Sequence, residues 1–342
     1  MKLTHLLLAL VVAGGLLSAH GRVLLNGGGD GGSATAIAKS SASAQNGGTA
    51  VSNAHAGATS AGDGNALSVA DSTANANGKD SLAVSNVDSS SFAGPGSDAT
   101  SIGIGSADAQ GKDSVAVTDV KVDSTATGDS SALGVGIGSS EATQGGTALT
   151  SVDMDSEARK GSASAAFGFG SSEANKGFAA VNVEVKAKAF EHSLATSIGS
   201  AHAEALKGGW VFAEAISNAV ARNDAVAFSK AAADAFASGY GIAVAKACSD
   251  AFAFHGGVAL SFANACAAAI DKGLAISDAL AFAFAFGDHS FALACSDALA
   301  VVFGKKTGPF CTALAGAGSS ASSWNAGPAF DSASAAAFKW CH

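Results

Sequence analysis

Proline, tyrosine and charge are scarce in this chain. Its 342 residues include three Pro, one Tyr and two Met, and 14% are charged. The 19 basic residues are outnumbered by 28 acidic ones. Only Arg159-Lys160 and Lys305-Lys306 bring two basic residues together, which argues against nucleic acid as a partner, because that needs clustered Lys and Arg. No Cys precedes Cys248 and no C-x-x-C pair occurs, so the spacing of a zinc site is missing and no metal is expected. No N-x-Ser/Thr acceptor occurs, so N-glycosylation is not expected. A Gly-x-Ser-x-Gly elbow opening a helix is absent as well. The pairs Gly103/Gly105 and Gly136/Gly138 alternate with β-branched residues, whereas a dinucleotide-binding loop has to open a helix. The eight His stand at no recognisable catalytic spacing from a Cys or carboxylate, and His192, His255 and His289 fall near unit junctions, as surface-turn residues do. No catalytic residue, cofactor or enzymatic activity is implied.

What the chain has in abundance is glycine, 43 residues, and alanine, which makes up most of its 48% nominally hydrophobic content. Both bury little apolar area at about 25 cal/mol per Å². They suit two sheets that approach closely rather than a thick core. Periodicity settles strand over helix. From Ala225 to Ser238 small residues recur at every second position, and Phe282, Phe284 and Phe286 keep the same step. On a strand such residues share one face; on a helix they fan apart.

Above this period lies a longer one. Ile102-Gly-Ile-Gly-Ser106, Val135-Gly-Ile-Gly-Ser139 and Phe167-Gly-Phe-Gly-Ser171 alternate with charged counterparts, Val120-Lys-Val-Asp-Ser124, Val152-Asp-Met-Asp-Ser156 and Val183-Glu-Val-Lys-Ala187. Gly-marked corners such as Gly78-Lys-Asp80, Gly111-Lys-Asp113 and Gly145-Gly146 punctuate units of about sixteen residues. A fixed period of this kind predicts an all-β, parallel β-solenoid or β-roll. Two geometries satisfy it. Each unit is a complete coil of two short strands, or each is one long strand and two units make a coil of about 32 residues. The second accounts for the alternation of Gly and charged units, because the two sheets then differ. On the charged strands the inward set is Ala148, Thr150, Val152, Met154, Ser156 and Ala158. On the Gly strands, if Glu141 and Glu173 face water, so do Val135, Ile137, Phe167 and Phe169. The buried Gly, Ser and Ala then leave room for Val and Met from the facing sheet.

That orientation places an apolar stripe, Ile102, Ile104, Val135, Ile137, Phe167, Phe169 and Ile198, on an outer face, where it becomes a candidate assembly surface. Gly103, Gly136 and Gly168 beside it are expected to let another sheet approach. Phe228/Phe236, Phe252/Phe254 and Phe282/Phe284/Phe286 are read as buried packing.

The ends carry separate signals. Residues 1–21 read as a secretory signal: Lys2, a short apolar run over 6–17, then the small residues Ser18, Ala19 and Gly21. The run is shorter than the roughly 20 residues a membrane span needs, so the mature chain is expected to be secreted and not membrane-spanning. Residues 22–46 form a Gly/Ser-rich leader or the first coil, 47–303 the repeat array, and 304–342 a Cys-containing cap or tail after the break at Lys305-Lys306-Thr-Gly-Pro309. In a secreted chain Cys295, Cys311 and Cys341 are candidates for stapling that cap, Cys311 to either of the others. Calcium is weighed at Gly27-Gly-Gly-Asp30-Gly-Gly32 and at the Gly-Lys-Asp corners, but Asp does not recur as the calcium-binding nonapeptide requires.

At Gly78-Lys-Asp-Ser-Leu-Ala-Val-Ser85 and Gly111-Lys-Asp-Ser-Val-Ala-Val-Thr118 the chain resembles the head repeats of trimeric autotransporter adhesins, most closely over residues 78–200. Ile102-Gly-Ile-Gly and Gly145-Gly-Thr-Ala-Leu149 look similar too. The resemblance implies a left-handed β-roll with one short coil per repeat, packing in threes and binding matrix or cell surfaces. No heptad stalk and no membrane barrel follow the repeats. The expected function is a secreted, non-enzymatic structural or self-assembling protein, a homo-oligomer or filament. An adhesin for a cell-surface or matrix ligand is the alternative. An ice-binding protein is a lesser one, since Thr ranks are sparse after Thr196.

Overall fold

In the computed structural model the described residues are 16–341, less short connecting segments between most strands, such as 28–32, 61–64 and 305–311. They form twenty strands in two parallel ten-stranded sheets, with successive strands alternating between the sheets. The odd sheet holds β1 (Leu16–Gly27), β3 (Thr49–Ser60), β5 (Leu82–Ala93), β7 (Val115–Thr127), β9 (Thr147–Arg159), β11 (Phe178–Phe190), β13 (Trp210–Arg222), β15 (Ile242–Phe254), β17 (Leu274–Phe286) and β19 (Thr312–Trp324). The even sheet holds β2 (Ala34–Ala44), β4 (Ala66–Asn77), β6 (Ala99–Gln110), β8 (Ser131–Ala142), β10 (Ala163–Asn175), β12 (Leu194–Leu206), β14 (Val226–Ser238), β16 (Val258–Ile270), β18 (Phe291–Gly304) and β20 (Ala329–Cys341). Among the described residues no helix is long and apolar enough to cross a membrane.

The molecule is an all-β solenoid, and the two-unit coil is the geometry built. Leu82 stands opposite Val115 and Val226 opposite Val258, a spacing of about 32 residues per coil. Each sixteen-residue unit is therefore one strand with its corner, and the short coil that the adhesin resemblance implies is not the one present. Ten rungs at about 4.8 Å give a rod of about 48 Å.

The array also extends beyond the expected 47–303. Residues 16–27 and 34–44 already pair as β1 and β2. At the other end β19 and β20 continue both sheets to residue 341, so 304–342 adds a tenth coil rather than a separate cap. The break in period falls at 305–311, outside the described residues. Cleavage after Ala19 or Gly21 would fall inside β1.

The core is thin, and its composition changes along the axis. On β9, Ala148, Val152, Met154, Ser156 and Ala158 are buried and at most 1% exposed. Opposite them the even strands carry glycine. A Cβ on Gly103 would come within 2.8 Å of Val122, on Gly136 within 2.9 Å of Val152, and on Gly168 within 2.6 Å of Val185. These glycines thus make room for Val and Met across the core. Their expected second role, letting another sheet approach from outside, is wrong, because they face inward.

Further along, Ala and Ser replace this Val–Gly complementarity. Ser197, Ser217, Ser229, Ser249 and Ser261 are fully buried. Their hydroxyls form a chain along the axis with successive Oγ separations of 2.8, 3.1, 2.9 and 3.2 Å. Several also donate to backbone carbonyls, as Ser229 does to Ser217 at 2.6 Å, so these buried hydroxyls are satisfied. A core of this thickness has no room for Phe. Phe228 accordingly lies on the outer face, half-buried, with its ring 5.8 Å from that of Phe262, and Phe236 also lies outward. The packing reading was wrong for both; the side chains of Phe252, Phe254, Phe282, Phe284 and Phe286 lie outside the described set.

Corners stack as the strands do. Gly78 and Gly111 take φ of 127° and 136°, and the following Asp80 and Asp113 take 58° and 57°. Gly78 N–H donates to Gln110 O at 2.8 Å, and Asp80 N–H to Lys112 O at 2.9 Å. A Cβ on Gly111 would lie 2.1 Å from Gly78 O, so both backbone angle and proximity require glycine there.

Candidate assembly face

Parallel in-register pairing stacks every second residue of the even sheet into outward columns. Counted from the start of the strands, the first column over β4–β12 is Leu67, Thr100, Leu133, Ala165 and Thr196. The second, over β2–β12, is Ile37, Val69, Ile102, Val135, Phe167 and Ile198. The third runs Lys39, Asp71, Ile104, Ile137, Phe169 and Ser200, and the fourth is mostly Ser.

All seven residues of the stripe expected from sequence fall in the second and third columns. Ile104, Ile137 and Phe169 are 39%, 41% and 42% exposed. Ile102, Val135, Phe167 and Ile198 flank them, half-exposed. The structure lengthens the stripe to Val69 and to Ile37, which is 51% exposed. The pattern follows from the core: wherever the inner positions must be Gly or Ala, the bulk of an even strand can only stand outside.

A fifth column escaped the sequence reading. Asn75, Asp108, Glu141, Glu173 and Glu204 stack in register along the far edge of the same face. Burial pushes the Glu141 carboxyl above its ordinary pKa, and Asp108 and Glu173 on the neighbouring strands push it the same way. Gln110 Nε2 donates to Asp108 Oδ2 at 3.0 Å. The signal was present in the spacing, since these acids recur at the coil period.

Over the same rungs the odd sheet carries both characters: its outward columns at one edge are apolar, with Leu82, Val115 and Phe178 in one and Val84, Val117 and Leu149 in the next, and its middle is charged. Asp88, Lys121, Asp153 and Glu184 form one outward column. His55 pairs with Asp88 at 2.9 Å, Lys188 with Asp155 at 3.3 Å, and Lys186 with Glu184. Burial raises the pKa of Asp119 and Asp123, to which Asp153 and Asp155 respectively add. At one edge of this sheet Phe178 and Trp210 are neighbours, 38% and 60% exposed, an aromatic shelf that single residues in the sequence did not reveal.

Of the two expected staples, Cys311 to Cys295 is not formed, since Cys295 is a free thiol, and Cys311 to Cys341 falls outside the described residues. Cys248, Cys266 and Cys295 are free thiols on outward positions. Cys295 is opposite Ser332, while Cys341 is opposite Gly304, nine positions further along. At about 3.3 Å per residue they are some 30 Å apart, far beyond the disulfide limit of about 7 Å. Cys311 lies outside the described residues, as do His192, His255, His289 and Asp30. Among the described residues no three His, Cys, Asp or Glu side chains are grouped to hold a metal ion.

No protein-family model, curated protein or solved structure matches this chain.

Proposed function

We propose that this is a secreted, non-enzymatic structural protein that self-assembles through the outward face of its even sheet. The observation that carries the reading is the exposed stripe of Ile, Val and Phe across six consecutive rungs. A folded chain in water does not leave a contiguous apolar surface of this kind bare without a use for it. The supporting chemistry is the rigidity of the scaffold. A two-sheet rod paired in register on every rung presents those side chains in a fixed, flat array, so little ordering entropy remains to be lost on contact.

The test is the variant Val135→Lys, Ile137→Lys, Phe167→Lys and Phe169→Lys, measured by sedimentation equilibrium and circular dichroism beside the unaltered protein. The expected result is an associated wild type and a folded, monomeric variant. A wild type that stays monomeric at high concentration overturns the reading.

An adhesin is the second reading, and the aromatic shelf at Phe178 and Trp210 favours it. Exposed aromatic rings on a fixed surface suit sugar rings or apolar peptide groups. Quenching or enhancement of tryptophan fluorescence by matrix glycans, lost in Trp210→Ala, would support it; monomers that bind no glycan or matrix component would not.

A further inference from the structure

We infer that the partner of the apolar face is the same face of one second copy, related by a two-fold axis parallel to the solenoid axis, so that the assembly closes as a dimer. The inference rests on the self-assembly reading and adds to it the partner surface, the symmetry and the stoichiometry.

The size is adequate. Six strands, β2 to β12, at about 4.8 Å span about 29 Å, and four outward columns at about 6.7 Å span about 27 Å. That is on the order of 780 Å², against roughly 800 Å² per partner in a stable interface.

Charge selects the partner surface. Over the same rungs the odd sheet confines its apolar residues, Leu82, Val84, Val115, Val117 and Leu149, to one edge and fills its middle with Asp88, Asp119, Lys121, Asp153, Glu184 and Lys186. Packing the apolar stripe, which runs through the middle of the even sheet, against that charged middle would strip water from charges and give them apolar neighbours. An even face on an odd face is also the head-to-tail arrangement that leads to open filaments, whereas an even face on an even face is self-complementary and closes.

The carboxylate column then selects the axis. Two sheets face each other at about 10 Å. If the axis ran along the strands, every column would meet itself, and Asp108, Glu141, Glu173 and Glu204 would confront their own copies across that gap. No Lys or Arg stands in the column to offset them. With the axis along the rod, between the second and third columns, the second column meets the third column of the partner: Ile102, Val135 and Phe167 meet Ile104, Ile137 and Phe169, while on β2 and β4 Ile37 and Val69 meet the Lys39–Asp71 ion pair at the end of the face. The first column meets the fourth, which is Ser on β2, β6, β8 and β10, Thr73 on β4 and His202 on β12. The carboxylate columns then project beyond the overlap on opposite sides, about 33 Å apart, well past the Debye length of about 8 Å. A two-fold that leaves strands antiparallel across the interface thus satisfies both the apolar stripe and the acids beside it.

The test uses full-length protein whose five native cysteines are replaced by Ser, carrying one nitroxide label at Glu141→Cys or, separately, at Leu133→Cys. Electron–electron dipolar spectroscopy reads the distance between copies. The axial two-fold gives unequal distances, about 35 Å for residue 141 and about 22 Å for residue 133. Equal, short distances near 10–15 Å at both sites overturn this arrangement while leaving self-assembly standing. A sedimentation mass above that of a dimer at the labelling concentration overturns closure. Absence of any intermolecular dipolar signal, with a monomer mass, removes the self-assembly reading together with this one. The residue 133 label keeps the question answerable if the Glu141 variant does not fold.

Discussion

Gly168 and Gly199 occupy the same inward column on adjacent strands, yet alanine at the two positions should have opposite effects. At Gly168 a Cβ would sit 2.6 Å from Val185 Cγ2, 2.9 Å from Val183 Cγ1 and 3.4 Å from Met154 Sδ. Carbon atoms settle at about 3.5–4.0 Å, so about 1 Å of separation is missing. Val183 and Val185 cannot swing away, because both are β-branched and restricted at χ1. Their strand is also held on both sides, by β9 and β13. Overpacking of this kind costs about 1–3 kcal/mol. A Gly→Ala change in extended backbone recovers about 0.4–1 kcal/mol by limiting the unfolded chain. The net expectation for Gly168→Ala is a loss of about 1–2 kcal/mol. At Gly199 the nearest atoms would be 3.4, 3.4 and 3.5 Å away, at the edge of ordinary contact, because β13 places Ala213, Ala215 and Ser217 where β11 has Val. Gly199→Ala should therefore be neutral or gain up to about 1 kcal/mol. Urea unfolding followed by circular dichroism gives the comparison. Amide exchange over β10–β13 localises it, since a repeat array need not unfold as one unit. A cycle combining Gly168→Ala with Val185→Ala adds a second check. Truncating the valine alone costs about 2 kcal/mol, and the methyl introduced by Gly168→Ala should refill part of the hole, so the double variant should recover about 1 kcal/mol relative to additivity. Equal shifts at Gly168 and Gly199, or an additive cycle, would refute Val–Gly complementarity as the reason for the glycines.

Two further outcomes are expected. Glu141 has a folded-state pKa above its unfolded value, so its ionisation opposes folding, and that penalty grows as pH rises from the unfolded pKa, about 4.3, through the raised folded one. Glu141→Gln should then raise the melting temperature by about 1–2 °C at pH 7 and change little below pH 4; a larger gain in acid than at neutrality would contradict the carboxylate column. Native protein should react with thiol reagents at Cys248, Cys266 and Cys295, but slowly, because burial raises the pKa of Cys248 and Cys266, with Asp234 adding to the latter. The rate should climb as pH passes the ordinary thiol range, and a non-reduced peptide linking Cys295 to Cys341 would contradict the strand register.

Much of the fold is legible because β structure writes itself at short range. The two-residue alternation of Ala148 to Ala158 specifies both a strand and its buried side, and the alternation of Gly and charged units points to two unlike sheets. The orientation of the Gly strands is also readable, since Glu141 and Glu173 must face water and bring Val135, Ile137, Phe167 and Phe169 out with them. What local sequence cannot carry is the register between distant strands. That register assembles Asp108, Glu141, Glu173 and Glu204 into one column, puts Phe178 beside Trp210, and joins five serines from 197 to 261 into one chain of hydroxyls. The Phe residues misled for a related reason. Their spacing is compatible with either side of a strand, and the choice is made by the width of the core, which the facing Ala and Ser determine. Cys295 and Cys311 are one sixteen-residue unit apart, but one unit is a single strand with its corner and successive strands belong to opposite sheets, so that spacing does not stack two residues, and Cys295 is a free thiol.

The two ends of the rod bear on which direction assembly takes. An exposed strand edge is a template for further pairing, so a solenoid that ends cleanly invites growth along its own axis. Pairing across the even face and growth along the axis are separable by the same four lysines. Axial stacking adds strands to both sheets and leaves the columns of Ile, Val and Phe in water, so Val135→Lys, Ile137→Lys, Phe167→Lys and Phe169→Lys would not disturb it. Pairing across the even face covers those columns, and the four lysines abolish it. Loss of association in this variant thus points to the face, and association that survives it points to the strand edges.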